Sequence, residues 1–292
     1  MPGPLTLLGV PIDSVGRAGG TELAPAAFRS FLRPGDPWDR DGGDLDVRIR
    51  GDLRDPSTGI VGSGDVLAMT RAVADAVAGS VAGGERPFLI GGCCSFVPGA
   101  VAGASRAAGP TAIAYVDGHL DLYDGTTSPT GEAADMPMAV VLGAGPPAWV
   151  EAAGATTEGR HAAILGYRDL DEALGHGHPH PDTVAGLTYA DAEAVLADPS
   201  GVGAAVAERF GAAPGRLWVH LDVDVLDEEV FPATDYLMPG GLGLDPLTDL
   251  LRPLLGSPAL VGASFACYNP EKDPDGACGS ALAQVARDTL VS

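Results

Sequence analysis

Apolar positions in this chain fall into short unbroken runs, separated by stretches in which they recur at helical spacing. Leu5–Val10 (LTLLGV) and the runs at 87–90, 161–166 and 259–265 show no polar alternation, so they read as strands buried on both faces. Residues 44–50 alternate apolar and charged positions, as an edge strand does. Two further runs, 114–121 (AYVDGHLD) and 217–226 (LWVHLDVDVL), end in charged residues. Helical spacing covers 26–32, 65–82 with Ser63 or Asp65 as a cap, 191–196, 202–210, 246–255 and 279–290, and 132–141 follows a polar loop at 124–131. Strand and helix alternate throughout, without a repeat or a dividing linker. The expectation is a single α/β domain over residues 1–292, a mostly parallel sheet covered by helices on both faces, with its ligand site at the carboxyl ends of the strands.

The chemistry sits at those ends. Run 114–121 delivers Asp117, His119 and Asp121, and run 217–226 delivers His220, Asp222 and Asp224. An extended segment points alternate side chains the same way, so each set can converge on one point. Aspartates at strand ends also start turns or cap helices. Here both runs place Asp at i and i+2 after apolar residues, where an unpaired charge is costly to desolvate, and together they resemble two halves of a metal site. Gly91 and Gly92 permit a tight turn that exposes Cys94 at another strand's carboxyl end. One imidazole, four carboxylates and one thiolate suffice for two divalent ions. Such a pair lowers the pKa of a shared water and supplies hydroxide at neutral pH, which is the chemistry of hydrolysis. The O/N donors suit Mn, whereas Cys94 pulls one position toward Zn, Fe or Ni.

Composition narrows the partners. With 39 acidic against 17 basic residues the formal charge is −22, so nucleic acid and anionic membrane surfaces are poor partners and a small-molecule substrate is expected. No run approaches the roughly 18 apolar residues of a membrane span, and the chain start lacks signal-peptide regions, so a cytoplasmic protein is expected. Cys93, Cys94, Cys267 and Cys278 form no paired framework and read as thiols. The Gly-rich stretch 16–25 lacks the phosphate-binding pattern and reads as a structural turn. His176, His178 and His180 alternate in a Gly/Pro loop with no rigid frame for a metal.

These motifs resemble those of the ureohydrolases: arginase, agmatinase, formimidoylglutamase and their relatives. GGTELAP resembles that family's GG-x-x-x-GP loop, and Gly91 to Ser95 stands where it has GGDHS. Asp117 to Asp121 matches D-A-H-x-D, and the stretch from Leu221 through Thr234 resembles F-D-V-D-x-L-D-P with P-A-T-G. The resemblance covers nearly the whole chain and implies a three-layer αβα fold, two divalent ions (Mn most often) and a homo-oligomer, trimeric or hexameric. By position, Cys94, Asp117, Asp121 and Asp222 would hold one ion and Asp117, His119, Asp222 and Asp224 the other, with Asp121 also aligning the attacking hydroxide. Asp171 would meet the substrate's amino group, and Tyr123, Thr130 and Cys267 fall on the substrate side.

The departures redirect the function. Cys94 replaces the family's usual His, as in N-omega-hydroxy-arginine hydrolases. Ala134 stands where arginase has its proton-shuttling His, Tyr123 replaces an Asn, and Cys267 occupies the place of the Glu that binds the guanidinium. A buried cation without its partner loses several kcal/mol, so arginase activity itself is not expected. His220 can serve as acid or base or as a structural partner. Glu132 can meet a cationic substrate or simply start a helix, and Cys267 can be a plain small residue. The leading expectation is a metal-dependent hydrolase of a linear guanidino, amidino or related C–N bond. The alternatives are a metal-binding subunit of the same fold without hydrolysis, and a metal-free enzyme using Cys94 as nucleophile, which the surrounding carboxylates disfavour by raising the thiol's pKa.

Overall fold

The computed structural model describes residues 3–14, 19–212 and 216–290. In chain order the elements are β1 (Leu5–Val10), α1 (Ala24–Ser30), β2 (Arg40–Asp44), α2 (Ser63–Ala82), β3 (Arg86–Gly91), α3 (Val97–Ala108), β4 (Ala112–Val116), α4 (Pro137–Val141) and α5 (Pro147–Ala153). They continue with β5 (Ala162–Tyr167), α6 (Leu170–Gly175), β6 (Thr188–Asp191), α7 (Ala192–Ala197), α8 (Pro199–Ala212), β7 (Leu217–Asp222), α9 (Leu244–Leu255), β8 (Leu260–Ala266) and α10 (Ala277–Thr289).

The strands make one eight-stranded sheet in the order β2-β1-β3-β8-β7-β4-β5-β6, and all neighbours run parallel. A parallel sheet buries both faces, which explains why its inner strands carry unbroken Ala, Val, Leu and Ile runs. One face packs Phe88, Leu217 and Val219 against Phe28 of α1, Phe210 of α8, Leu250 and Leu254 of α9 and Leu282 of α10. The other packs Ile113, Tyr115 and Trp218 against Val66, Met69 and Val73 of α2, Val97 of α3 and Trp149 of α5. The edge strands β2 (RDGGD) and β6 (TYAD) are short and charged, features that discourage edge-to-edge association. Among the described residues no helix is long and apolar enough to cross a membrane.

Topology places the site. The chain passes from β3 to β4 across the width of two strands, which β8 and β7 later fill. Connections that diverge in this way leave a crevice at the carboxyl ends. In register, Val116 lies opposite Leu221 and Asp222 opposite Ala266. Asp117 and Cys267 therefore leave the ladder on either side of Asp222, while the turn after β3 brings Cys93 and Cys94 beside Cys267, whose N–H donates to the Gly92 carbonyl at 2.8 Å.

Several sequence expectations are corrected. The strand foreseen at 44–50 lies at Arg40–Asp44, where Arg29 bonds Asp41 and Asp44 on the exposed edge. Leu45 and Ile49, which produced the alternation, pack on the core, and the pairing with β1 ends at the Leu45 N–H, which donates to the Gly9 carbonyl at 2.8 Å. Neither Ser63 nor Asp65 caps α2. Gly62 enters it with φ 64°, and Asp65 instead accepts from the N–H groups of Arg50 and Gly51 at 2.8 and 3.1 Å. The short elements β6, α5 and α6 were not foreseen. Of the Gly-rich stretch 16–25, residues 16–18 lie outside the described residues, and Thr21–Leu23 form a 3-10 turn.

Candidate metal centre

The four aspartates converge, but not through alternation along extended strands. β4 ends at Val116 and β7 at Asp222, so the charged residues beyond them sit in tight turns. A 3-10 turn at Val223–Val225 follows β7, and the Asp224 N–H donates to Asp222 Oδ1 at 3.0 Å. Asp117 Oδ1 similarly accepts from the His119 N–H at 2.7 Å. The two turns touch at Gly118, whose N–H donates to Asp224 Oδ1 at 3.0 Å. A Cβ at Gly118 would lie 2.7 Å from the Asp224 carbonyl oxygen, so only glycine allows this approach. Asp121 adopts φ 51°, left-handed for a non-glycine residue, and this turn aims its carboxylate back at the site. There it accepts from the Tyr115 hydroxyl and lies 3.6 Å from Cys94 Sγ. Arg168 braces the second turn by donating to the Asp224 and Val225 carbonyls at 2.7 and 3.0 Å.

Asp117, Asp121, Asp222, Asp224 and Cys94 are all nearly inaccessible to solvent. Burial and the Asp224 charge push the Asp117 carboxyl up to about 7. Burial pushes Asp121 and Asp222 well above the carboxylate range, reinforced by Asp117 and Asp224 respectively. For Asp224 burial works against ionisation, but His119, with Nδ1 3.0 Å from Asp224 Oδ2, and the Gly118 N–H hold it below the usual range. The His119 imidazolium is likewise favoured: Asp224 and Asp117 outweigh burial. Cys267 bonding favours the Cys94 thiolate, yet burial and the surrounding aspartates leave the thiol well above its ordinary value. Such crowding calls for cations at its centre. Asp117 Oδ2 has no hydrogen-bond partner among the described residues, and donor atoms of Asp117, His119 and Asp224 lie within 4.8 Å of one another. This donor set can hold divalent ions.

These residues floor a cavity of about 410 Å³. The Arginase family model matches residues 4–291. The chain belongs to the arginase family. Among curated relatives, the arginase of Agrobacterium fabrum is 24% identical over 284 residues, covering 92% of this chain and 85% of its own. The N(omega)-hydroxy-L-arginine amidinohydrolase of Streptomyces lavendulae is 27% identical over 204 residues, covering 70% and 68%. Among solved structures, the arginase from Bacillus caldovelox superposes with a TM-score of 0.89 over 99% of both chains at 22% identity, which establishes the fold.

Within this arginase-family cavity, the walls add Tyr123, Thr130, Ala134, Asp135, Asp169, Glu172, Asp235, Tyr236 and Cys267 to the floor, and no Lys or Arg among the described residues lines it. Tyr123 packs edge-on against His178, with centroids 4.6 Å apart; burial and Asp169 push its phenol up to about 12, so it stays a neutral donor. Thr130 donates to Asp135 at 2.7 Å. Cys267 faces inward with φ 67°.

Three expected residues stand elsewhere. Asp171 is exposed on the first turn of α6 and off the cavity, which takes Asp169 and Glu172 on either side of it, because a helical turn points neighbouring side chains apart. His220 lies wholly buried beneath the floor, its Nδ1 2.8 Å from Ser264 Oγ and its ring 4.9 Å from Tyr115. Burial drives its pKa down to about 3, which favours the neutral ring, and one of its nitrogens lies within 4.8 Å of carboxylate oxygens of Asp117 and Asp222. Glu132 is buried behind Tyr236, whose hydroxyl it accepts. Tyr115, Asp169, Glu172, Asp235 and Tyr236 were not foreseen from the sequence. Tyr115 precedes Asp117 by two in the same run, and Asp235-Tyr236 directly follows the Pro232-Ala233-Thr234 motif.

Proposed function

We propose that this chain is a metal-dependent hydrolase that cleaves a linear C–N bond in a cationic guanidino or amidino compound other than arginine. The observation that carries the reading is the convergence of Asp117, Asp121, Asp222, Asp224, His119 and Cys94 on the floor of a cavity whose walls hold four more carboxylates: Asp135, Asp169, Glu172 and Asp235. Cys94, Asp117, Asp121 and Asp222 would hold one divalent ion and Asp117, His119, Asp222 and Asp224 a second, with Mn the family's usual choice. Two ions bound there supply Lewis acidity and lower the pKa of a water between them.

The chain's own groups perform the rest. The acidic walls draw in a cationic substrate and fix its charged end away from the floor. Asp121, oriented by the Tyr115 hydroxyl, takes a proton from the attacking water as the C–O bond forms, and returns it to the departing amine as the C–N bond breaks. Tyr123 donates a hydrogen bond into the cavity. His220, neutral and bonded to Ser264, places a ring nitrogen within 4.8 Å of carboxylate oxygens of Asp117 and Asp222.

Two departures disfavour arginine. Cys94 stands where the family has His, and Cys267 where it has the Glu that meets the guanidinium. The similarity to the N(omega)-hydroxy-L-arginine amidinohydrolase supports a substrate with an altered guanidine. The test is turnover of a panel of guanidino, N-hydroxyguanidino, amidino and formimidoyl compounds by protein loaded with Mn, Zn, Fe or Ni. Cleavage of a modified guanidine or amidine, with arginine at least ~10-fold slower (about 1.4 kcal/mol), is expected. A fully loaded sample that binds a panel member and cleaves none is instead a binding module.

A further inference from the structure

Three of the four cysteines meet at one corner of the cavity, and hydrolysis as described uses only one of them. Cys94 follows β3, and Cys267 follows β8, the neighbouring strand. Their sulfurs and a carboxylate oxygen of Asp222 lie within 4.8 Å of one another. Zinc bonds sulfur at about 2.3 Å and oxygen at about 2.0–2.2 Å, so a tetrahedral ion shared by the three would need them roughly 3.5–3.8 Å apart, inside that limit. Cys93 bonds to Cys267 as a neighbouring thiol but does not belong to the group of donor atoms that could share an ion. Its sulfur is held by the Ser14 N–H at 3.4 Å and the Thr21 hydroxyl at 3.5 Å.

Neither substrate binding nor simple packing accounts for a cysteine at position 267. A guanidinium has nothing to gain from it, because a neutral thiol is a poor acceptor and carries no charge. It does pack at the margin of both apolar core clusters, where any small side chain would serve, but it also lies at the cavity wall, half-buried, facing Asp222 and Cys94. Its backbone is also unusual: φ is 67°, and Cys267 and Asp121 are the non-glycine residues with positive φ among the described residues. Both turn a donor atom toward the same centre.

We infer that Cys267 is a metal-ligating residue, so that the ion assigned above to Cys94, Asp117, Asp121 and Asp222 is held by two thiolates, Cys94 and Cys267, with carboxylates, Asp222 first among them, completing its shell. The inference rests on the two-ion reading above and assigns that position to a thiophilic ion, Zn2+ or Fe2+, leaving Mn2+ to the oxygen and nitrogen donors Asp117, His119, Asp222 and Asp224. The two positions are then chemically unlike, and the enzyme is heterometallic. Cys267 has in this way exchanged substrate binding for metal binding, which also explains why the cationic end of the substrate must be met by the walls.

Cobalt(II) is the probe, because thiolate ligands add a near-ultraviolet charge-transfer band whose intensity scales with the number of Co–S bonds, while oxygen and nitrogen ligands add none. The full chain, reduced and metal-free, is titrated with cobalt alone. The wild type is expected to show a two-thiolate band. C267S and C94S should each retain about half of it, the double variant none, and C93S and C278S all of it. Circular dichroism establishes that each variant is folded. Zinc-edge X-ray absorption of the unmutated protein gives an answer that needs no variant, and two sulfur scatterers per zinc are expected. A full band in C267S, or a single sulfur per zinc, overturns the inference while leaving the two-ion reading intact. Failure of the wild type to take up cobalt overturns both.

Discussion

Tyr115 shows how a residue that carries no chemistry of its own sets up one that does. Its ring lies in the core, stacked on His220, and only its hydroxyl reaches the site, where it donates to Asp121. Asp121 in turn occupies a left-handed backbone conformation that costs about 1 kcal/mol, so its position depends on such partners. Tyr115→Phe keeps the ring and removes the donor. Turnover is expected to fall by roughly 10–100-fold with little change in substrate KM, as measured by steady-state kinetics of the metal-loaded enzyme. At this scale the convergence of the candidate ligands was legible, since Asp, His and Cys at the ends of apolar runs are too costly to bury without a cation. The walls were legible only in part: Tyr123, Thr130 and Cys267 line the cavity as the resemblance implied, but its acidic side chains were not foreseen. Asp171 and Asp169 are two residues apart, and only the start of α6 decides that Asp169 faces the cavity and Asp171 faces solvent.

The loop between β4 and α4 must hold its shape for Asp117, His119 and Asp121 to stay together, and its backbone is tied down from outside. The Leu120 N–H donates to Asp169 at 3.2 Å, and the Leu122 N–H donates to His178 Nε2 at 2.9 Å. His178, one of three histidines in a loop that reads as unframed, is thus a buried anchor. Burial lowers its pKa to about 4, below the ordinary value near 6.5. The folded protein therefore binds this proton less tightly than the unfolded chain does. Its contribution to stability is complete above pH 6.5, declines as pH falls, and is gone below about pH 4. In excess metal, denaturant titrations across that window should show roughly 2 kcal/mol of acid-dependent loss once solvent screening is allowed for. His178→Ala should be less stable at pH 8 by about 1–3 kcal/mol and lack that part of the slope. An unchanged pH profile in the variant would remove His178 from this role. The strands β1, β3, β5 and β8 were readable to within a residue because unbroken apolar runs have few other fates. β6, with four residues and a half-exposed pattern, has no such signal.

Across the molecule, alternation of strand and helix disclosed a parallel sheet but not its order, because that depends on pairings between residues as distant as Phe88 and Ala263. The order is what matters to the site. β3, β8, β7 and β4 lie side by side, and together they bring donors from near residues 94, 117, 222 and 267 to one crevice. Net charge acts at the same scale. A chain of formal charge −22 with an acidic cavity attracts cationic substrates from a distance, and salt screens this attraction over about 8–10 Å. Raising ionic strength from about 0.01 to 0.15 M should therefore increase KM for a cationic substrate several-fold and leave kcat nearly unchanged. A KM indifferent to salt would mean that the walls do not bind the substrate's charge.

The proposed hydrolysis depends on cations gathering where these four strands end. Anomalous scattering from crystals grown with manganese and zinc tests this most directly. Two peaks a few ångströms apart, between Asp117 and Asp222 and flanked by Cys94 and His119, are the expected result. Well-ordered density for those side chains with no peak among them, or with peaks only at other surfaces, would contradict it.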